Sequence, residues 1–323
     1  MELNAAYSKL IQLLSKHTYQ NEHSIECAYN EPHRFFHGIN HLHSVISYPG
    51  IANDDALLLA AGMHDFKYDP MSQTNEYDSS QLIIGNDTVA VEARNLIIQT
   101  KDHTGTSAKA VILNAADLSV LESDFSSLVE YEKQIYKEFQ CYPHLDYIVG
   151  RVSILRNLQS KYGFHLDELV NYIISRDYKI GVFAGSFNPF HIGHKNILEK
   201  AEQIFDKVII AHGKNIEKPD SVAENIPKYH QYINYTGLMT DMLKSFGHPV
   251  TLIRGIRDMS DMEYEKKQLS FIRDFDPNVQ AIYIVCDKQY EHISSSAIRG
   301  LNKLRNEVDD PDAFKEHMRK YLR

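Results

Sequence analysis

Between Leu3 and Lys16 apolar residues fall at Leu10, Ile11, Leu13 and Leu14, the three-to-four spacing of one helix face. Asp54–His64 (DDALLLAAGMH) opens on two carboxylates and continues as an apolar body, the pattern of a helix buried on all sides. Thr88–Thr100, Ser107–Leu113, Asp124–Phe139 and Tyr147–Tyr162 keep the helical period, and few segments in this half alternate with period two. The texture changes near Asp177. Apolar runs at Ile180–Ala184, Val208–Ala211, Val250–Ile253 and Ala281–Val285 predict strands, and Asn196–Phe205, Tyr232–Phe246, Met262–Phe275 and Ser295–Arg305 predict helices. Strands alternating with helices imply a parallel sheet with crossovers, whose ligands bind beyond the carboxyl ends of the strands. The expectation is a multidomain chain: an all-α domain over residues 1–176 and a Rossmann-like α/β domain over residues 177–323.

A length of 323 residues suits two domains of ordinary size, and a 43% hydrophobic fraction lets each bury a core. The net charge of −9 argues against a general nucleic-acid binder, which needs a basic face. Three cysteines, Cys27, Cys141 and Cys286, stand far apart without CxxC spacing. That usage argues against a disulfide framework and fits a reducing cytosol, so a cytoplasmic protein is expected. No apolar run approaches the roughly 20 residues of a spanning helix, and the first residues lack a signal-peptide core, so no membrane partner is expected. Histidine changes the picture. Of the seventeen, several cluster between His33 and His64, a bias toward metal or acid–base work.

In the second half the chemistry gathers at three places, each following a predicted strand. Gly185–His194 (GSFNPFHIGH) ends the first strand in a tight turn, lets the backbone approach a ligand at Gly193, and sets His194 near a helix N-terminus, where anions are favoured. Arg254–Arg257 (RGIR) offers two guanidinium forks, separated by a glycine turn, suited to phosphate. Ile293–Ser296 (ISSS) leads hydroxyls into another helix start, and Lys214 and Lys218 follow the second strand.

Together these segments resemble phosphopantetheine adenylyltransferases, within the HxGH nucleotidyltransferase superfamily. Gly185–His194 is similar to their GTFDPxxxGH signature. The likeness continues through GLM at Gly237–Met239, TLIRGIRDMSDMEYE at Thr251–Glu265 and ISSSAIR at Ile293–Arg299. The resemblance implies transfer of AMP from ATP, carried with Mg²⁺, to the phosphate of 4′-phosphopantetheine, giving dephospho-coenzyme A and pyrophosphate, in a homo-oligomer. It implies that His194 stabilises charge on the α-phosphate. Ser186 and a lysine, Lys218 with Lys214 as rival, would hold the attacking phosphate. Arg254 and Arg257 would meet phosphates, and Ser294, Ser295 and Ser296 the triphosphate tail. Gly185, Phe187, His191, Gly193, Met239, Gly255 and Glu265 would complete the pocket. The chain departs from the pattern at Ser186 (threonine in the family), Asn188 (aspartate) and Ile272, where an asparagine contacts the pantetheine arm. The last departure leaves room for another acceptor, such as a mononucleotide or a different phosphorylated cofactor precursor.

In the first half, His37 and His41 lie four apart in YNEPHRFFHGINHLH, His64-Asp65 follows the apolar helix, and Asn75-Glu76, Ser79, His103 and Asp117 come later. Imidazoles and carboxylates converging from several helices are what a divalent ion needs, and such an ion can activate water against a phosphate ester. The set resembles the H…HD…D pattern of the HD phosphohydrolase superfamily, in a subgroup marked by YxEPxRxYHxxxH, HDxxYDP…NExxS, TxxH and DxDL. Here Phe36 replaces a tyrosine and DxDL reads AADL. The resemblance implies His41, His64, Asp65 and Asp117 as metal ligands, His37 and His103 as residues for a second metal or for substrate, and Arg34 as a phosphate binder. One or two ions of Mn²⁺, Fe²⁺, Zn²⁺ or Mg²⁺ would serve. The alternative is a regulatory module that binds a nucleotide or metal without catalysis.

Overall fold

The computed structural model describes residues 3–214, 223–303 and 311–322. They form two compact units. The first holds residues up to Phe139 and Leu145–Ser175; the second holds Gln140–His144 and everything from Arg176. The stretch 140–144 belongs to the second unit because a buried lysine, Lys207, donates to the carbonyls of Gln140 and Tyr142, and Gln231 N–H donates to Gln140 O.

The first unit is helical: α1 (Leu3–His17), α2 (Glu22–Tyr29), α3 (Ile39–Ser47), α4 (Asp55–Met63), α5 (Asn75–Ser80), α6 (Thr88–Thr100), α7 (Ala108–Asp117), α8 (Phe125–Glu138), α9 (His144–Tyr162) and α10 (Asp167–Ser175). Every residue of α4 from Ala56 to Met63 is buried, so it is the axis of the unit. Leu10 and Leu14 of α1, Leu42 and Ile46 of α3 and Ile97 of α6 belong to the same core. Each such leucine or isoleucine contributes about 1.5–3 kcal/mol by leaving water. The side chains of Asn21, Asp54, Asp87, Ser107 and Asp124 cap helix N-termini, each worth about 1 kcal/mol. Asp54, expected inside its helix, is thus its cap. A second core, including Leu118, Leu128, Leu155 and Leu169, ties α8, α9 and α10 together.

The second unit is built on β1 (Ile180–Gly185), β2 (Lys207–Gly213), β3 (Tyr232–Tyr235), β4 (Thr251–Ile256) and β5 (Gln280–Val285), with α11 (Ile192–Ala201), α12 (Met239–Lys244), α13 (Met259–Phe275), α14 (Ser295–Lys303) and α15 (Pro311–Arg319). The sheet is parallel throughout in the order β3-β2-β1-β4-β5. Alternation along the strands sends Phe183, Ile210 and Ile253 to one core and Val182, Ile209 and Leu252 to the other. The helix expected over Tyr232–Phe246 is instead a strand and a short helix. Tyr-Ile-Asn-Tyr is β-favouring sequence, and Gly237, at φ 90°, turns the chain before α12 begins. The turn expected inside RGIR is also absent. Arg254, Gly255 and Ile256 are the last residues of β4, and Gly255 passes so close to α11 that a Cβ would stand 3.2 Å from Ile197.

Candidate active sites

In the first unit, ligand atoms of His41, His64 and Asp117 lie within 4.8 Å of one another. His41 projects from α3, His64 follows the buried end of α4, and Asp117 ends α7. Asp65 joins them: its Oδ2 is 3.1 Å from His64 Nε2 and 3.6 Å from His41 Nε2. Asp117 Oδ1 is 3.1 Å from His41 Nε2 and 3.6 Å from His64 Nε2. His64 Nδ1 donates to Ala61 O, which leaves Nε2 as its inward face. Both Nε2 atoms and Asp65 Oδ2 are buried without hydrogen-bond partners. Polar atoms so close, yet not aligned to bond one another, suit a shared cation. Burial opposes charge on His64, but Asp65 and Asp117 raise its pKa well above the ordinary value. Burial likewise opposes ionisation of Asp117, but the His103 hydrogen bond and the adjacent His41 and His64 imidazoles hold its pKa well below the carboxylate range. The donor set of two imidazoles and two carboxylates therefore fits a divalent ion.

His103 does not enter this cluster. Its Nε2 lies 3.0 Å from Asp117 Oδ2, the oxygen turned away from His41 and His64, so it orients the carboxylate. His37 stands on the rim, its ring 5.6 Å from that of His41. Its Nδ1 is 2.6 Å from Glu138 Oε2. Glu138, fully buried at the end of α8, also accepts from the N–H groups of Phe36 and His37 and from the Tyr68 hydroxyl. Nothing in the sequence signalled Glu138, because its partners lie 70 to 102 residues away. Asn75 and Ser79 bond the backbone of Asp69 and Lys67 and so brace the loop after Asp65.

Arg34 is not placed to bind phosphate. Its guanidinium is fully engaged: Nε donates to Glu31, Nη1 to the carbonyls of His37 and Asp65, and Nη2 to Phe66 O, with Nη2 also 2.9 Å from Glu31 Oε2 as an ion pair. Its side chain is 1% exposed, and Cζ lies 5.2 Å from the ring centres of both Tyr29 and Tyr68. It fixes the backbone that carries Asp65. Arg34→Lys, with three donors and no planar fork, is expected to lower stability by about 3 kcal/mol in urea unfolding followed by circular dichroism.

In the second unit, the carboxyl ends of β1 and β4, where the strand order reverses, open into a cleft of about 310 Å³. Gly185, Ser186, His191, Gly193, His194, Arg254, Arg257, Glu265 and Ser294–Ser296 line it, as do Asp261, Tyr290 and Arg299, which the sequence reading had not singled out. His191 caps α11 and its ring stacks on His194, with centroids 3.7 Å apart. Gly193 permits the stack, since a Cβ there would stand 3.1 Å from the His191 ring. His194 Nδ1 accepts the backbone N–H of His191, so neutral His194 carries its hydrogen on Nε2. Burial, then the neighbouring His191 and Arg257, depress His194 well below the ordinary histidine value, and burial with Arg257 brings His191 down to about 4.

Arg254 grips Glu265 with both arms at 2.6 Å and donates to Ala184 O, tying β4 to α13 and β1. Arg257, 39% exposed, pairs with Asp261 through Nε and Nη2. The three serines differ. Ser294 accepts from Ala297 N–H, Ser295 donates to Pro189 O, and Ser296 accepts from Arg299. Phe187 also lines the cleft, buried beneath His194 with its ring centre 5.1 Å away, and supports the imidazole. Two expected residues are placed otherwise. Met239 packs in the core on the sheet face of α12 and does not line the cleft. Lys214 is exposed beyond β2, with its N–H on Tyr235 O, and also lies outside the lining. Lys218 falls outside the described residues. Ile272 packs against the same core as Met239.

A cytidylyltransferase-like family profile matches residues 182–234. A phosphopantetheine adenylyltransferase from Mycoplasma capricolum is 38% identical over 133 residues, which is 38% of this chain and 94% of that protein. One from Porphyromonas gingivalis is 37% identical over 148 residues, 42% of this chain and 95% of its own. Through its second unit the chain belongs to the phosphopantetheine adenylyltransferase family. That unit is accordingly a nucleotidyltransferase. These relatives leave the helical unit unmatched, since each covers well under half of the chain. A solved bifunctional NMN adenylyltransferase/ADP ribose pyrophosphatase from Francisella tularensis is 20% identical, covers 45% of each chain and has a TM-score of 0.30, too slight a likeness to bear on either unit. No described helix is long and apolar enough to cross a membrane.

Proposed function

We propose that the second unit transfers AMP from ATP to 4′-phosphopantetheine, forming dephospho-coenzyme A and pyrophosphate. The observation that carries this reading is the cleft itself, where a neutral imidazole donor and two arginines meet a helix N-terminus in a chain of this family. The acceptor phosphate attacks the α-phosphorus in line as pyrophosphate leaves. His194 Nε2–H, aimed from the start of α11, stabilises the charge that grows on the α-phosphate. Arg257 holds the departing phosphates with its remaining donors, while Asp261 fixes its fork. Arg254 keeps β1 and β4 at the spacing the cleft needs. Ser186, exposed at the mouth, faces the attacking phosphate, and the start of α14 receives the triphosphate tail. Mg²⁺ would travel with ATP and neutralise its phosphates. Ile272 packs against the core and does not line the cleft, so it brings no apolar side chain against the phosphates. Calorimetric titration of 4′-phosphopantetheine, with nicotinamide mononucleotide as comparison, tests the acceptor. Binding of the first and not the second is expected; the reverse refutes this choice.

For the first unit, we propose a metal-dependent phosphohydrolase acting on a phosphomonoester or phosphoanhydride. His41, His64, Asp65 and Asp117 would hold the ion, supported by the three inward atoms that are buried without partners. A bound divalent ion would supply Lewis acidity and a water of lowered pKa. The protein's own part is orientation: Ala61 O fixes His64, His103 fixes Asp117, and Glu138 fixes His37 at the rim.

A further inference from the structure

With Arg34 occupied, the phosphohydrolase reading calls for another cation to meet the substrate's phosphate. The same wall of the first unit contains another buried guanidinium. Arg151, on α9, is 9% exposed. Its Nε donates to Glu132 Oε2 at 2.8 Å, and the other Glu132 oxygen accepts from the Tyr147 hydroxyl at 2.5 Å. Glu132 is wholly buried, so the arginine is fixed in place. One arm is not used: Nη2 is buried without a hydrogen-bond partner. A guanidinium held by the Glu132 carboxylate and the Tyr131 hydroxyl but left with a buried, unbonded Nη2 is costly unless something takes that donor.

Position says what that is. Cζ of Arg151 lies 5.1 Å from the ring centre of Tyr131. The Tyr131 ring meets Phe36 at 4.6 Å, and Phe36 meets the ligand His41 at 4.8 Å. Leu118, the residue after Asp117, belongs to the core cluster on which Tyr131 packs. Tyr131 and Phe36 therefore link Arg151 to the neighbourhood of the metal-binding cluster. The Tyr131 hydroxyl feels both: burial raises its pKa most, the Arg151 charge and its hydrogen bond with Arg151 oppose, and the Glu132 and Asp117 carboxylates add to the rise. We infer that Arg151 is the phosphate-binding residue of the first unit's centre, offering Nη2 to a phosphoryl oxygen of the substrate, with Glu132 and Tyr131 as positioning residues. The inference rests on the metal-centre reading above. Glu132 aligns the fork, and the Tyr131 ring carries its face. The ligand chemistry is a phosphate group, free or esterified.

The test uses the full chain loaded with Mn²⁺ and titrated with inorganic phosphate, read by the water-proton relaxation of the bound ion. Asp117→Asn serves as the blank that removes the centre. Wild type should take up Mn²⁺ above the blank and bind phosphate there. Arg151→Lys should keep its Mn²⁺ and bind phosphate about 10-fold more weakly, and Arg151→Gln about 100-fold more weakly, as loss of a charge-assisted hydrogen bond predicts. Circular dichroism checks that each variant is folded, and the lysine variant alone suffices if the glutamine variant is not. A folded, Mn²⁺-loaded variant that binds phosphate within twofold of wild type overturns the assignment and leaves Arg151 a strut between helices. If wild type takes up no Mn²⁺ above the blank, the metal-centre reading itself fails, and the role of Arg151 with it.

Discussion

His194→Ala is expected to lower the rate of pyrophosphate release by about 100- to 1,000-fold while ATP binding changes little, since removing one preorganised donor to a developing oxyanion typically costs that much. The geometry gives the reason. His194 starts α11, receives the His191 N–H on Nδ1 and presents Nε2–H to the cleft. Its pKa is depressed by burial first, then by His191 and Arg257, so the working form is neutral. Stopped assays across pH check this separately. A neutral donor gives a rate insensitive to this group from about pH 6 to 8; a cationic one gives a rate that falls as pH rises through its ordinary value of about 6.5. Stability follows the same linkage. Folded pKa values below the unfolded value mean that the unfolded chain takes up protons first, so the His191–His194 pair destabilises this unit as pH falls from about 6.5 toward 4.

The second large effect is in the first unit. Asp117→Asn is expected to lower divalent-metal affinity by at least about 100-fold, the upper end of what even an outer-shell partner costs, and to remove metal-dependent hydrolysis. Asp117 is the only cluster residue engaged on both oxygens: Oδ1 faces His41 and His64, and Oδ2 meets His103. An amide keeps the shape but offers one oxygen and no charge. Elemental analysis after dialysis reads the metal directly. His103→Gln, acting only through Asp117, should cost less, about 10-fold. If both variants retain metal equal to wild type, the cluster is not a metal centre. If Asp117→Asn loses metal but wild type shows no metal-dependent hydrolysis to lose, the first unit is a sensor and the transferase kinetics become the place to look for its effect.

What the sequence made legible follows from how local each signal is. The strand–loop–helix run through Gly185–His194 carries its whole meaning in ten residues, and its turn, cap and imidazole all stand together in the cleft. The apolar body of Asp54–His64 likewise declared a buried helix. Tyr232–Phe246 misled because a four-residue edge strand has too few positions to show period two, and the break at Gly237 outweighed the helical residues after it. Met239 was read as a ligand contact, and Ile272 as the replacement of one, from motif position alone, whereas both pack against the core beneath the sheet. Arg34 shows the same limit. An arginine in a histidine-rich motif reads as a phosphate binder until the carbonyls of His37, Asp65 and Phe66 are seen around it. Glu138 and Arg151 carry no local signal. Their partners come from other helices, and only the fold brings them to the wall of the cluster.

The measurement that bears most directly on this account is product identification after the full chain is incubated with Mg·ATP and 4′-phosphopantetheine. Mass spectrometry should find dephospho-coenzyme A in equal amount to pyrophosphate, and neither with His194→Ala on the same timescale. Unreacted phosphopantetheine in the presence of bound ATP, with AMP transferred instead to another phosphorylated acceptor, would contradict the proposed substrate.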